Sequence, residues 1–437
     1  MKDFNSRISI AGGYHSHENM PLEESPVFRD DARMNREAAC TALEEAPLDQ
    51  SRARWAASVL FLVDGIGFGT WAAMIPSVKQ KFGLSESGLS IVLLAIVAGA
   101  LISMSLVGRA LSRYGSRTML SWLAPGYAVA LALIALAPGF GWLFGAAMIF
   151  GAFKGSLDVS VNAQAITIEN AGKKPIMATF QALWSLGGLV AALLVGLALK
   201  QGVAAVVTTL AIAAVLLIAA LASAGALAGG DASPTKRKRG FSLPNGRILR
   251  IGALAFLALF AEGVMMDWSA VYTRTVSGAE AWLAPLAYGM FSLSMATGRF
   301  LGDRVTARHG GLAVLRVSGL LTFIGLLLII AVHQWPVTFL GLGFAGLGLA
   351  NLVPVLLGAG GRAHEESIGQ GVAMVSMIGY FGFLAGPPAI GGLSHWIGLP
   401  GAFGVVVVFA LLLAVWGPGV LGRASVNSAA PSGSSSD

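Results

Sequence analysis

The sequence predicts an all-α membrane protein with twelve transmembrane helices, arranged as two pseudo-symmetric bundles of six. Of its 437 residues, 55% are apolar and only 12% are charged, whereas an average soluble domain is roughly 25% charged. The charges are clustered, so long apolar runs remain between them, and the mean hydropathy is +0.73. The two halves of the chain also resemble each other, which predicts the division into two bundles.

A bilayer core of ~30 Å requires about 20 residues of apolar helix. Windows of that length locate the candidate spans. They lie near residues 55–77, 87–108, 118–137, 141–166, 176–199, 203–228, 248–273, 282–301, 312–332, 335–361, 369–393 and 398–420.

Polar segments divide these spans into domains. The longest internal one contains KRKR and separates the sixth span from the seventh. Both ends of the chain are polar, and the first 50 residues lack the apolar core of a signal peptide. We expect a disordered cytoplasmic tail (1–50), an N-terminal bundle (51–228), a basic cytoplasmic linker (229–247), a C-terminal bundle (248–422) and a disordered tail (423–437).

Basic residues are concentrated in alternate loops, which indicates the orientation of the chain. One set of loops carries Arg109, Arg113, Arg117, Lys173, Lys174, Lys236–Arg239, Arg247, Arg250, Arg299, Arg304, Arg308 and Arg362, and the other carries only Lys79, Lys81, Lys200 and Arg274. This positive-inside pattern predicts both termini in the cytoplasm, with the helices in a bacterial inner membrane. It accounts for the net charge of +7, so we expect no nucleic-acid partner.

The halves match at an offset of about 190–198 residues. Asp64-Gly65 matches Glu262-Gly263, GRALSRYGSR at 108–117 matches GRFLGDRVTARHG at 298–310, and Asn162 matches Asn351. Such repeats are the usual construction of secondary transporters, in which the binding site lies between the halves.

Two acidic residues lie within apolar spans, Asp64 in the first and Glu262 in the seventh. A carboxylate at bilayer depth costs at least ~2.5–3.5 kcal/mol on insertion scales. A low-dielectric site favours the neutral acid, which suits proton binding. The alternative interpretation is a permanently neutral acid that hydrogen-bonds a neighbouring helix. Five residues beyond Glu262, Asp267 is either a solvated helix end or part of a gate.

The fourth span carries Lys154, Asp158 and Asn162 at a spacing of four residues, which places them on one helix face. We expect this face to line a cleft between the halves, where Lys154 contacts substrate and Asp158 titrates. The alternative is a self-satisfied Lys154–Asp158 pair that holds helices together. Gln181 in the fifth span offers hydrogen bonds to hydroxyl groups.

Other polar and aromatic residues have weaker assignments. Asn351 and Pro354 predict a bent tenth span whose free carbonyl groups line the cavity. Gln164 is expected to be solvated. Trp71 and Trp268 are expected in the interfacial aromatic belt.

The segment GRALSRYGSR resembles the loop between spans two and three of the major facilitator superfamily, G-x-x-x-D-R-x-G-R-[RK]. Gly108, Arg113, Gly115 and Arg117 match it, and Ser112 replaces its acid. The resemblance implies the fold of that superfamily and a gating role for these residues. In the second half it implies the same role for Gly298, Asp303 and Arg304. Gly386-Pro387 in the eleventh span predicts a flexible helix, and the absence of proline after Gly187-Gly188 in the fifth speaks against a drug/proton antiporter.

A closer resemblance covers most of residues 55–420. DVSVNAQAITIE, PIMATFQALWSLGG and EGVMMDWSAVY resemble the MosC/YbjJ-like branch of the superfamily. IPSVKQKFGLS and LDVSVNAQ are more weakly similar to proton-coupled fucose permeases, a match that puts Asp158 in the place of their protonatable Glu.

These resemblances imply a monomeric secondary transporter in the bilayer that moves a small polar solute, a sugar derivative or an organic acid, with protons. The alternatives are an exporter of amphipathic compounds and a non-transporting membrane component of a biosynthetic or sensing pathway. We expect no enzyme activity, cofactor or metal, because no nucleophile motif, phosphate loop or Cys/His cluster occurs.

Overall fold

The computed structural model describes residues 50–172, 176–228, 245–363 and 368–426. These residues form long helices joined by short turns. In chain order the helices are α1 (Gln50–Lys81), α2 (Glu86–Ala135), α3 (Phe140–Gly172), α4 (Met177–Lys200), α5 (Ala205–Ala224), α6 (Gly246–Thr275), α7 (Ala284–Ala331), α8 (Trp335–Leu349), α9 (Leu352–Ala363) and α10 (Ile368–Val426).

Three of the helices are far longer than a bilayer requires: α2, α7 and α10 have 50, 48 and 59 residues. Each contains one glycine with non-helical backbone angles, at Gly115 (φ 74°), Gly310 (φ 79°) and Gly398 (φ 71°). A positive φ is costly for residues with a Cβ, so glycine permits a sharp reversal there. Each of these helices therefore supplies two of the predicted spans.

The tenth span is broken, as predicted from Asn351 and Pro354. Helix α8 ends at Leu349 and α9 begins at Leu352. Counting α8 and α9 as one span, and α2, α7 and α10 as two each, the described helices agree with the predicted twelve crossings. By length and composition, nine described helical segments are able to cross a membrane.

Helices α1–α5 form one half and α6–α10 the other. Within the halves, α1 packs on α4 and α6 packs on α10. Between them, α4 contacts α7, α2 contacts α10, and α1 contacts both α6 and α7. We call the side of the molecule where α1 begins the terminal face, and the opposite side the distal face.

The glycines that follow the two predicted acids serve the same purpose in each half. Gly65 of α1 lies against the backbone carbonyl of Trp184 on α4, and Gly263 of α6 lies against that of Phe383 on α10. A Cβ at either position would collide with a main-chain atom, so only glycine lets these helices approach so closely. This close crossing brings Asp64 and Glu262 into the middle of their halves.

The predicted linker and tails lie almost wholly outside the described residues. Of the linker 229–247, only residues 245–247 are described, where Asn245 caps α6 by accepting hydrogen bonds from the backbone N–H groups of Arg247 and Ile248. The helical backbone of α10 reaches Val426 and so includes the first four residues of the predicted C-terminal tail.

Candidate functional site

In the N-terminal half, two carboxylates form ion pairs with the same ammonium group. Lys154 lies halfway along α3, and its Nζ is 3.1 Å from Asp64 Oδ2 and 2.6 Å from Asp158 Oδ1. Asp64 is completely buried and Lys154 is 7% exposed. The structure therefore brings together three of the predicted residues, which we call the carboxylate–lysine triad.

Polar side chains continue this triad toward the terminal face. Asn162 donates to the carbonyl of Asp158 (2.8 Å) and accepts from Gln181 Nε2 (3.2 Å). From the other half, the hydroxyl of Tyr380 donates to Asp158 Oδ2 over 2.9 Å. Asp158 thus connects the two halves directly, because α3 and α10 belong to different ones.

The C-terminal half holds a one-to-one ion pair. Arg299 Nη2 on α7 is 2.9 Å from Glu262 Oε1 on α6. Arg299 Nη1 also donates to Ser185 Oγ of α4 over 2.7 Å. The prediction that Arg299 belongs to a basic loop is wrong: the helical backbone of α7 continues to Gly310, which places Arg299 inside the protein.

Trp184 lies between these two groups of charges. The Nζ of Lys154 is 5.6 Å from its ring centroid and the Cζ of Arg299 is 6.0 Å away. Both distances are within the range of cation–π attraction. The indole Nε1 is buried and has no hydrogen-bond partner. Trp184 therefore presents an unused donor between cations from the two halves.

Asp267 is neither a solvated helix end nor part of either group. It is 9% exposed, and its Oδ1 is buried without a hydrogen-bond partner. The expectation that Trp71 and Trp268 lie in an interfacial belt is also wrong, since both are fully buried and Trp268 donates to the carbonyl of Pro387. Gln164, expected to be solvated, is buried against Ser116.

The structure does not place Asn351 with the triad. Its side-chain amide donates to the carbonyl of Gly298 over 3.0 Å, and its Oδ1 packs on Gly302. These contacts attach α7 to the break between α8 and α9.

The reversal glycines revise the register of the repeated motif. Gly115 and Gly310 make the same turn, so Arg308 corresponds to Arg113. In this register Asp303 corresponds to Gly108, so it does not replace the missing acid of the motif. The side chain of Asp303 lies outside the described part of the chain.

The remaining gating candidates have ordinary structural contacts. Arg117 donates to the carbonyl of Gly225 (3.4 Å), within the N-terminal half. Gly386 packs tightly on the backbone of α6, and Arg304 is exposed on α7.

The partners that neighbouring helices supply were not predicted from the sequence: Arg299, Ser185 and Tyr380. One signal was available for Arg299. It lies 15 residues after the start of α7, within an apolar run, as the two predicted acids do in theirs.

Comparison with known proteins agrees with this architecture. The chain belongs to the Major Facilitator Superfamily, whose family model matches residues 57–315, more than half of the chain. An uncharacterised transporter of this type from Yersinia pestis is 32% identical over 354 residues, which cover 81% of this chain and 92% of that protein. The superfamily consists of transporters, so the expectation that the chain is not an enzyme is confirmed.

A second relative is the membrane protein MosC of Rhizobium meliloti, 32% identical over 356 residues, or 81% of this chain and 86% of that protein. It confirms the predicted likeness to the MosC-like branch. Among solved structures, the nucleoside transporter NupG superposes with a TM-score of 0.70 at 12% identity, over 84% of this chain and 99% of that one. This likeness confirms the predicted fold. The weaker similarity to fucose permeases stays a prediction.

Proposed function

We propose that this protein is a secondary active transporter that moves a small polar solute together with protons by alternating access. The observation that carries the proposal is the carboxylate–lysine triad, which lies in the middle of the membrane region and touches the opposite half through Tyr380. Intramembrane ionisable residues of this kind mark substrate and proton pathways.

The charges of the triad support proton binding. Asp64 and Asp158 share Lys154, so the fully ionised triad carries one uncompensated negative charge. An unpaired buried charge is expensive and is relieved when the group takes up a proton. Glu262 and Arg299, by contrast, balance each other. We therefore place the proton site at the triad. Because Glu262 is balanced by Arg299, we no longer count it among the acids that couple protons to transport.

Within the triad, hydrogen bonding favours Asp64 as the protonated residue. Asp158 receives donors from both Lys154 and Tyr380, which stabilise its anion. Asp64 Oδ1 is buried without a partner. A proton on Asp64 leaves Lys154 and Asp158 as a neutral pair, and its departure restores the negative charge.

The contacts between the halves support alternating access. Gly391 on α10 packs so closely on Ser90 of α2 and on the ring of Trp268 that a Cβ would not fit there. Gly196 of α4 also lies close to the other half, because a Cβ at this position would be 2.9 Å from the carbonyl oxygen of Trp282. Both contacts are near the distal face. Asp158, whose side chain is 24% exposed, is therefore accessible from the terminal face in this conformation. We expect the Tyr380–Asp158 bond to break when the halves rock to the other state.

The polar lining favours a neutral solute rich in hydroxyl groups. Asn162, Gln181 and the triad offer donors and acceptors, and Trp184 offers an aromatic face. Away from the two faces, the described residues include four acids and two bases: Asp64, Lys154, Glu262 and Asp267 are buried, and Asp158 and Arg299 are partly exposed. This surplus of negative charge repels anions and therefore favours a neutral sugar derivative. An organic acid would need additional protons to enter the site.

The distribution of basic residues supports an inner-membrane location with both termini in the cytoplasm. In this orientation the terminal face is cytoplasmic, and the conformation described above opens inward.

The test uses purified protein in proteoliposomes with an imposed pH gradient. Radiolabelled sugars, inositols and organic acids are supplied in turn, and their accumulation is compared between the wild type and the Asp64→Asn/Asp158→Asn variant. We expect a neutral polyol or sugar derivative to accumulate only with the wild type. Accumulation by the double variant against a gradient would refute proton coupling through the triad.

Export of amphipathic compounds is the alternative outcome of the same experiment. This alternative would be favoured if neither polyols nor organic acids accumulate and the protein instead extrudes lipophilic cations. The hydrogen-bonded lining around Asn162 and Gln181 speaks against it.

A further inference from the structure

A crevice opens near the distal face of the N-terminal half, between α1, the part of α2 that follows Gly115, and the first turn of α5. It encloses about 500 Å³, including its open mouth. Its walls are mainly apolar and include Met74, Val78, Phe82, Leu131, Ile134 and Val206. Thr70 and Thr209 also line it, but their hydroxyl groups donate to carbonyls of their own helices. The interior therefore suits an alkyl chain better than a polar solute.

The crevice borders the bilayer and not the cleft between the halves. Among the described residues, α5 packs only on α1, α2 and α4, all of the N-terminal half. The other side of α5 carries apolar side chains that are 58–67% exposed: Val207, Val215, Ile218 and Leu221. On a membrane-spanning helix such a stripe contacts lipid. The crevice thus lies beside a lipid-facing helix, apart from the triad.

Lys81 fixes a positive charge at the mouth of this crevice. Its Nζ donates to the carbonyl of Ala137 over 2.9 Å and lies 5.0 Å from the centroid of the Phe82 ring. The neighbouring Lys79 is paired with Glu86 at 3.1 Å, whereas no ion pair within the described part of the chain includes Lys81. The mouth therefore holds a cation in place without a carboxylate to balance it.

The beginning of α5 adds a second positive feature to the same crevice. Ala204 occupies the capping position and makes no side-chain cap hydrogen bond. Thr208 is the residue whose N–H bonds the Ala204 carbonyl, so the N–H groups of Ala205 to Val207 precede the first bond of the helix. A helix N-terminus carries partial positive charge and attracts anions. Ala205, Val206 and Lys81 all line the crevice.

We propose that this crevice binds one anionic phospholipid from the distal leaflet of the membrane. Its phosphate is held by Lys81 and the first N–H groups of α5, and one acyl chain lies against the apolar walls. A soluble anion would leave those walls exposed, and a lipid without net charge would leave Lys81 unbalanced. The lipid fills the space between three helices of one half, so the site is independent of the proposed proton coupling.

The first experiment tests the head group. The full chain is equilibrated in micelles with equal amounts of phosphatidylglycerol and phosphatidylcholine, and native mass spectrometry counts the lipids that remain bound. We expect the wild type to retain phosphatidylglycerol preferentially. Lys81→Met should weaken its binding by about fivefold, the effect of one lysine near an anionic lipid surface. Lys200→Met is the matched control, because this distal lysine lies over the Trp282 ring, outside the crevice. Equal losses in the two variants would overturn the site.

The second experiment tests the acyl chain through Trp71, which is fully buried and lines the crevice. Phosphatidylglycerol with brominated chains quenches tryptophan fluorescence at short range. We expect the quenched component to disappear in Trp71→Phe and to remain in Trp268→Phe, which changes a buried tryptophan of the other half. Quenching that is the same in Trp71→Phe as in the wild type would show that the crevice is not occupied by lipid.

The third experiment separates the lipid from a free anion. Ala205→Phe fills the crevice near its mouth and should abolish both the quenching and the preference for phosphatidylglycerol. Glycerol phosphate, which has the head-group charge without the chains, should not displace the bound lipid. Displacement by glycerol phosphate would show that the mouth binds a free anion, and the lipid assignment would be wrong. Should Ala205→Phe not fold, the comparison of Trp71→Phe with the wild type decides the matter.

Discussion

The two halves of this transporter place an acid at the same point and partner it differently. Asp64 and Glu262 both precede a glycine at a close crossing of two helices in their half. Asp64 shares Lys154 with a second acid, whereas Glu262 has Arg299 to itself. The repeat therefore sets the scaffold and the depth of the acid, while the neighbouring helices decide whether it has a surplus charge.

Hydrogen bonds from the C-terminal half also cross the interface at both groups of charges. Tyr380 of the C-terminal half reaches Asp158, and Ser185 of the N-terminal half receives Arg299. The first bond ends on a group of the proposed proton site, whereas the second involves a balanced ion pair. If the proposed function holds, the triad controls proton-dependent switching and Arg299 forms a latch that does not depend on protons.

The largest expected effect comes from removing the shared cation. Lys154→Met leaves two carboxylates without a cation, and breaking a buried ion pair costs about 3–5 kcal/mol. Arg299→Met leaves only Glu262 without a cation. Because one proton neutralises Glu262, we expect a smaller loss in the free energy of unfolding. Reversible denaturation in mixed micelles measures both free energies of unfolding. Adding Asp64→Asn and Asp158→Asn to Lys154→Met should restore most of the loss. Equal costs for the two single variants would contradict the difference drawn between the halves.

The second effect tests whether Tyr380 links the proton site to the movement of the halves. A hydrogen bond to a charged group contributes about 1.5–3 kcal/mol, so Tyr380→Phe should shift the population toward the state open at the distal face by roughly 10- to 150-fold. Spin labels at the start of α2 and at the Gly398 reversal of α10, both on the distal face, report the separation by electron–electron distance measurement. Tyr272→Phe, which loses a hydroxyl bond within one half, should leave the distances unchanged.

Much of the fold could be predicted from the sequence because hydropathy reports membrane depth directly. The spans, the reversals at Gly115 and Gly310 and the break near Asn351 all follow from apolar length and from glycine or proline chemistry. The contact between Lys154 and Asp158 could also be predicted, because the two residues are separated by one helical turn.

The remaining contacts depend on which neighbour each helix face meets, and a single sequence does not contain that information. Aligning the Gly-Arg dipeptides of the two halves by identity puts Arg299 in a loop, whereas the reversal glycines show a different register. Depth alone puts Trp71 and Trp268 in the aromatic belt, but neighbouring helices bury them.

The third effect separates the two groups in transport. A pH difference of about one unit stores about 1.4 kcal/mol per proton, enough for about tenfold accumulation of a co-transported solute. Glu262→Gln should keep this accumulation ratio, because the triad still binds the proton, and should only slow uptake. Asp64→Asn should reduce the ratio to one. The steady-state ratio and the initial rate are measured in the same proteoliposomes. A loss of accumulation in Glu262→Gln would return Glu262 to the proton site.

The smallest effect concerns the latch. Ser185→Ala removes one acceptor of Arg299 but leaves Glu262, so the loss should be about 0.5–1.5 kcal/mol. The same spin labels should show a shift of about tenfold or less, and the shift should not depend on pH, because neither Ser185 nor the balanced pair takes up a proton. Ser160→Ala is the matched control, since that hydroxyl bonds only the carbonyl of Ser156 within its own helix. A shift in Ser185→Ala that appears only at acidic pH would show that the latch and the triad act as one unit, and the division of roles between the halves would then be wrong.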